Sequence, residues 1–187
     1  TEAQANTLVN ALTYNNTSED PTTTNRVVTI TSLTDSGANG GADDNVNAAL
    51  SVASTVGITA ANDEPTLAAT GANPAFTEGA GAVTLFSGSN ALTVESGQTL
   101  TALTLTVSGL DATQLANEIL GIDGQTIALT DGNSVSTTPN GLTVNVSNVG
   151  GSTATVSFSG ATLTEAQANT LVNALTYNNT SDSPTTT

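Results

Sequence analysis

Residues 1–24, TEAQANTLVNALTYNNTSEDPTTT, return almost unchanged as residues 164–187. Only Glu19/Asp182 and Asp20/Ser183 differ, and the two copies stand 163 residues apart. Repetition at a fixed period points to an array before any other feature is read. A period of this length is too long for one turn of a solenoid and suits one whole domain per repeat. The expectation is a tandem array from which the 187-residue chain takes one period and an overlap.

Composition narrows the chemistry such an array can perform. There are 16 acidic side chains against one basic residue, Arg26, and the chain has no His, Cys, Met or Trp. Lacking Cys and His, it has no thiol nucleophile, no Ser-His-Asp relay and no zinc or haem site of the usual kind. Lacking Lys, it has no Schiff base and no P-loop lysine. A net charge of −15 opposes nucleic acid and anionic membrane, which are bound by neutralising phosphates with cations. No segment is apolar enough for membrane insertion. What remains in quantity is oxygen, which suits Ca2+. Without disulfides, a secreted domain needs another staple, and a metal can serve.

The hydrophobic pattern predicts strands. In Leu103-Thr104-Leu105-Thr106-Val107 the apolar residues share one face and Thr the other. Leu142, Val144 and Val146, then Ala154, Val156 and Phe158, alternate likewise. Asp123-Gly124, Asp131-Gly132, Asn140-Gly141 and Gly150-Gly151 supply turn residues between them, so an antiparallel meander with one buried face is expected. Two further strands are predicted in Asn25–Leu33, with Val28 and Ile30 inward, and in Ala48–Ala60, with Leu50, Val52, Val56 and Ile58 apolar. One helix interrupts the pattern. Thr162 is expected to cap it, with Glu165 reaching back as a capping box. Ala168, Leu171, Val172 and Leu175 form its apolar stripe, and Ala5, Leu8, Val9 and Leu12 are their earlier counterparts. The predicted fold is all-β: an Ig-like or cadherin-like antiparallel β-sandwich with one short helix per 163-residue repeat.

The junction between domains is placed at Ala60-Ala61-Asn62-Asp63-Glu64-Pro65-Thr66, where carboxylates meet a stiffening proline. Residues 1–63 are then the C-terminal part of one repeat and residues 64–187 the N-terminal two-thirds of the next. Asn62, Asp63 and Glu64, with Glu78 of Phe76-Thr77-Glu78-Gly79, are the first candidate metal ligands. Calcium takes about six to eight oxygens, which two domain ends gather only if they stop rotating. The alternative is that Asp63 and Glu64 are solvated linker charges. A second candidate is the Gly-rich loop from Asp35 to Asn45, with Asp35, Asp43 and Asp44; it lacks EF-hand spacing and reads equally as a solvated loop. Asp123 and Asp131 are read as turn residues.

Asn62-Asp63-Glu64-Pro65 resembles the Asn-Asp-x-x-Pro type of linker in cadherins and in the cadherin-like tandem repeats of giant bacterial surface adhesins of the RTX and biofilm-associated type. Thr77-Glu78-Gly79 is similar to the early Glu turn of those domains. So are Asn25–Leu33, Leu129–Asn133 and Leu175–Ser181 to segments of such repeats. The resemblance implies secreted, calcium-dependent domains, stacked head-to-tail, that hold an adhesive tip away from a bacterial cell surface. The helix, the longer period and the incomplete linker motif depart from true cadherins.

The expected function is a structural spacer: a calcium-stiffened stalk whose identical links advance about 40 Å each. The alternative is a self-assembling extracellular matrix filament, in which copies of the chain cover each other's strand edges. A glycan- or ice-binding module is disfavoured because aromatics are few and Thr104 and Thr106 read as an ordinary solvent face. An enzyme is not expected. The Asp35-Ser36-Gly37 triplet resembles an aspartic-protease motif but has no convincing partner.

Overall fold

The computed structural model describes residues 1–37, 45–148 and 150–185. The chain divides into two compact units, Thr1–Asn62 and Asp63–Thr187. Both are built mostly from antiparallel strands, with one short helix in each. The architecture is therefore all-β at the level of its elements.

The first unit begins with helix α1 (Glu2–Asn10) and continues through strands β1 (Arg26–Ile30), β2 (Leu33–Thr34), β3 (Val46–Asn47) and β4 (Val52–Val56). β1 pairs with β4 and β2 with β3, giving two separate two-stranded sheets. The register places Val28 opposite Ser54 and Ile30 opposite Val52. Val28, Ile30, Val52 and Val56 thus share a face, as their alternation predicts. That face is not inward: Val28 and Val52 are exposed, and no described residue of this unit is buried. A two-stranded ribbon has nothing of its own to cover either face.

The second unit contains β5 (Thr66–Gly71), β6 (Val83–Thr84), β7 (Phe86–Leu92), β8 (Leu103–Ser108), β9 (Glu118–Ile122), β10 (Gln125–Ala128), β11 (Ser134–Ser136), β12 (Thr143–Ser147), β13 (Thr153–Ser159), helix α2 (Glu165–Asn173) and β14 (Thr176–Asn179). They form sheets of order β10-β9-β14-β6 and β11-β12-β13-β8, and a β5-β7 pair. Both four-stranded sheets feed a single apolar cluster. Leu120, Ile122 and Ile127 come from one, Val144, Val146, Ala154, Val156 and Phe158 from the other, and Ala168, Leu171 and Leu175 from α2 and its end. The residues predicted to alternate inward on β12 and β13, and on the helix, are the buried ones.

Three local expectations are corrected. The helix cap is Thr164, not Thr162, and the box is closed by Gln167, whose side chain accepts from the Thr164 N–H at 2.9 Å. Glu165 cannot close it because it stands at the first helical position rather than the third. Asp131-Gly132 does not close a hairpin; it lies between β10 and β11, which belong to different sheets, so the turn passes the chain from one sheet to the other. Asp123-Gly124 does close one. Ile122 faces Gln125 across it, with φ of 47° and 76° at the two turn residues, as a type I′ turn requires. The third correction is Val28, expected inward and exposed on an uncovered ribbon. Among the described residues, no helix is long and apolar enough to cross a membrane.

Candidate functional site

The predicted ligand residues fall in several places. Asn62 closes the first unit and Asp63 opens the second. Asp63 is half-buried, while Asn62 and Glu64 are exposed. Glu78 is exposed in a turn closed by the Ala80 N–H on the Thr77 carbonyl. Asp35 is exposed and folds back on its own loop, accepting from the Gly37 N–H at 2.8 Å. Asp43 and Asp44 lie outside the described residues. Among the described residues no three carboxylates are grouped as a metal site.

One carboxylate that sequence reasoning passed over does join the linker. The Asp63 backbone N–H donates to Glu95 Oε1. Glu95 reaches this position from a sharp turn after β7 in which Val94 has φ of 73°. A β-branched residue in that region is strained, at a cost of about 1–3 kcal/mol. The second Glu95 oxygen, Oε2, is buried without a hydrogen-bond partner. An orphaned, buried carboxylate oxygen, on a side chain bonded to the Asp63 backbone, is suited to a hard divalent cation. Carbonyl and amide oxygens or water would have to supply the remaining ligands.

Next to this turn, α2 is held to β7 by a ladder of polar side chains. Glu165 Oε1 accepts from the Thr93 N–H at 2.8 Å and the Thr93 hydroxyl at 3.0 Å. Asn169 Oδ1 accepts from the Ala91 N–H at 2.7 Å, and Asn173 Oδ1 from the Ser89 N–H at 3.0 Å. The spacing explains the fit. Four helical residues rise about 6 Å, and two strand residues about 6.6 Å. Three side chains on one helix face therefore meet alternate amides of a strand, and the helix takes the place of a neighbouring strand along that edge. The signal was present in the sequence as polar residues four apart, beside the apolar stripe.

Two further buried carboxylates are structural. Asp123 accepts from the Thr137 hydroxyl and, at 2.6 Å, from the Asn140 side-chain amide. Asn140 in turn accepts from Gln167 Nε2 at 3.1 Å, tying the helix cap to the β11–β12 loop. Asp123 is thus a turn residue, as expected, and also the anchor of that loop. Glu118 accepts from the Tyr177 hydroxyl. Burial, then the bond to Glu118, pushes the Tyr177 phenol up to about 12. Phe76 stands edge-on to the same ring, with centroids 5.5 Å apart. A partly open cleft of about 170 Å³, lined by Leu100, Leu103, Leu142, Phe158 and Leu171 among others, carries no titratable side chain. No protein-family model, curated protein or solved structure matches the chain.

Proposed function

We propose that the chain is a link of a long extracellular spacer, built from cadherin-like or Ig-like sandwiches repeated every 163 residues at a bacterial cell surface. The observation that supports this best is the fate of the repeated helix. Leu171, Val172 and Leu175 are 3%, 5% and 2% exposed, whereas their counterparts Leu8, Val9 and Leu12 are 68%, 46% and 60% exposed. An identical stripe that is core in one copy calls for an equivalent core around the other. A tandem array supplies it, with residues 1–63 ending one domain and 64–187 beginning the next. Every link then has the same mechanics, which a stalk requires and a single binding site does not.

In this reading the links join head-to-tail, and Ca2+ held by Glu95 with Asp63 and with carbonyl or water oxygens at the head of each domain stiffens the join. The strongly negative charge keeps neighbouring stalks soluble and apart. No catalytic role is proposed.

The test is thermal melting of a chain two full repeats long, first with calcium and then with chelator. Saturating calcium at about 100 times its dissociation constant adds about 2.7 kcal/mol, so a higher melting temperature that the chelator abolishes is expected. Glu95→Gln should remove most of that rise. Coincident curves would dismiss the metal. Sedimentation of the same chain with calcium separates the stalk, which stays monomeric, from a matrix filament, which grows with concentration.

A further inference from the structure

The sheet β11-β12-β13-β8 carries an apolar face that runs beyond its cover. Across it, Val144 and Phe158 continue to Leu103, and Val146 and Val156 continue to Leu105. The β12 and β13 members of these rows are buried, but Leu103, Leu105 and Val107 on β8 are only half-buried. Among the described residues β8 pairs with β13 alone, so its other edge offers backbone donors and acceptors. Beside that edge runs a groove of about 330 Å³ lined by Leu85, Phe86, Leu105, Val107, Leu120 and Tyr177, among others.

The chain leaving β14 is led along the segment between β8 and β9 towards the C-terminal end of β8. Thr180 N–H donates to the Asn117 carbonyl at 3.0 Å. The Ser183 carbonyl accepts from Gln114 Nε2 at 3.1 Å, and the Thr185 hydroxyl donates to Asp111. Asp111 lies just past Ser108, where β8 ends. In an array, the continuation of the chain past Thr185 therefore sets out from the C-terminal end of β8. The first copy of the repeat identifies that continuation, because its equivalent stretch leads into β1. A strand that starts at that end of β8 runs antiparallel to it.

We propose that the open edge of β8 and the adjoining groove receive the β1–β4 ribbon of a second copy of the repeat, with the β1 sequence antiparallel to β8. Val28, Ile30, Val52 and Val56 share one face of the ribbon with Arg26 and Ser54. Val28 and Val52 are exposed there and Ile30 and Val56 half-buried, and these four apolar side chains fill the groove. The ribbon of the chain's own first unit is not the donor. It is tethered to α1, whose sequence needs the place that α2 already fills in the second unit. Each ribbon therefore serves the body that holds its own helix. This assignment rests on the tandem reading and adds the docking surface to it.

The test appends the sequence of residues 25–63 to the C-terminus of the full chain and measures β8 amide hydrogen exchange. The β8 amides are expected to exchange about 100-fold more slowly with the ribbon than with a scrambled extension of equal length. Val28→Asp placed in the appended ribbon should abolish the protection, while Val28→Asp in the first unit should leave it intact. That pair of variants leaves the second unit untouched, so misfolding does not obscure the result. Loss of protection from the first-unit variant would make the chain's own ribbon the occupant and overturn the proposal. A higher melting temperature without β8 protection would overturn the docking surface and leave the array standing. No change in either would remove both.

Discussion

The two copies of the repeated segment show what a short sequence decides for itself and what its surroundings decide for it. Both α1 and α2 are nine residues long and close the same capping box, Thr1 with Gln4 and Thr164 with Gln167. Both end at an alanine with φ of −93°. These features use bonds between residues three or four apart, so they form wherever the sequence stands. Burial does not carry over. The α2 stripe lies in the core, and α1 has no buried residue. The strand after the helix differs too: Thr176–Asn179 pairs with β9 and β6, while residues 13–16 are in no strand. A helix this short draws most of its stability from a covered face, so the two copies differ in energy far more than in shape.

The largest expected effect comes directly from that difference. Leu171→Ala should cost the second unit about 2–5 kcal/mol, the usual range for emptying a fully packed leucine site. Leu8→Ala should leave that unfolding transition where it is. The comparison sharpens if the sequence of residues 64–163 is placed ahead of residue 1. Leu8 then gains the surroundings of Leu171, and its truncation should become equally costly in urea unfolding. If Leu8→Ala remains silent in that longer chain, the equivalence of the two copies fails.

The polar ladder gives a smaller, more specific contrast. Asn169→Ala removes the acceptor of the partly buried Ala91 N–H, which should cost about 1–3 kcal/mol for the donor left unsatisfied. Asn169→Asp keeps an acceptor there and should retain most of the stability. Asn6→Ala alters an exposed helical position, where alanine is the better helix former, and should be neutral or slightly favourable. Equal losses from Asn6→Ala and Asn169→Ala would mean that the ladder does not hold the helix to β7.

How far the sequence could be read depends on the range of the interactions. Alternation on β12 and β13, the helical stripe and the Asp123-Gly124 turn are period and turn signals, and each is complete within a few residues. The role of Glu165 was misread because a carboxylate near a helix start serves a cap or a neighbouring strand equally well, and only the approach of Thr93 decides. Gly121 was not legible at all. It faces Thr176 across β9 and β14, where a Cβ would stand 2.1 Å from the threonine hydroxyl. Such close approach belongs to a pairing between distant segments. Glu95 was missed for the same reason: its partner Asp63 is 32 residues away. The linker carboxylates were visible as charges, but only Asp63 among them is tied to a second carboxylate.

The tyrosine after each helix provides the mildest test of the contrast. Tyr14 is 42% exposed, whereas Tyr177 is half-buried, with its hydroxyl on the Glu118 carboxylate. The Tyr177 phenol rises from 10.0 in the unfolded chain to about 12 in the fold, so the folded state holds this proton more tightly. Its contribution to stability is complete below pH 10 and is lost as pH climbs through about 12. Urea midpoints of the second unit, measured from neutral pH into that window, should therefore fall more steeply in the native sequence than in Tyr177→Phe. At neutral pH the variant should be the less stable of the two, because buried Glu118 loses a donor. Parallel curves would mean that Tyr177 is not held against Glu118, and the burial that separates it from Tyr14 would not extend to the end of β14.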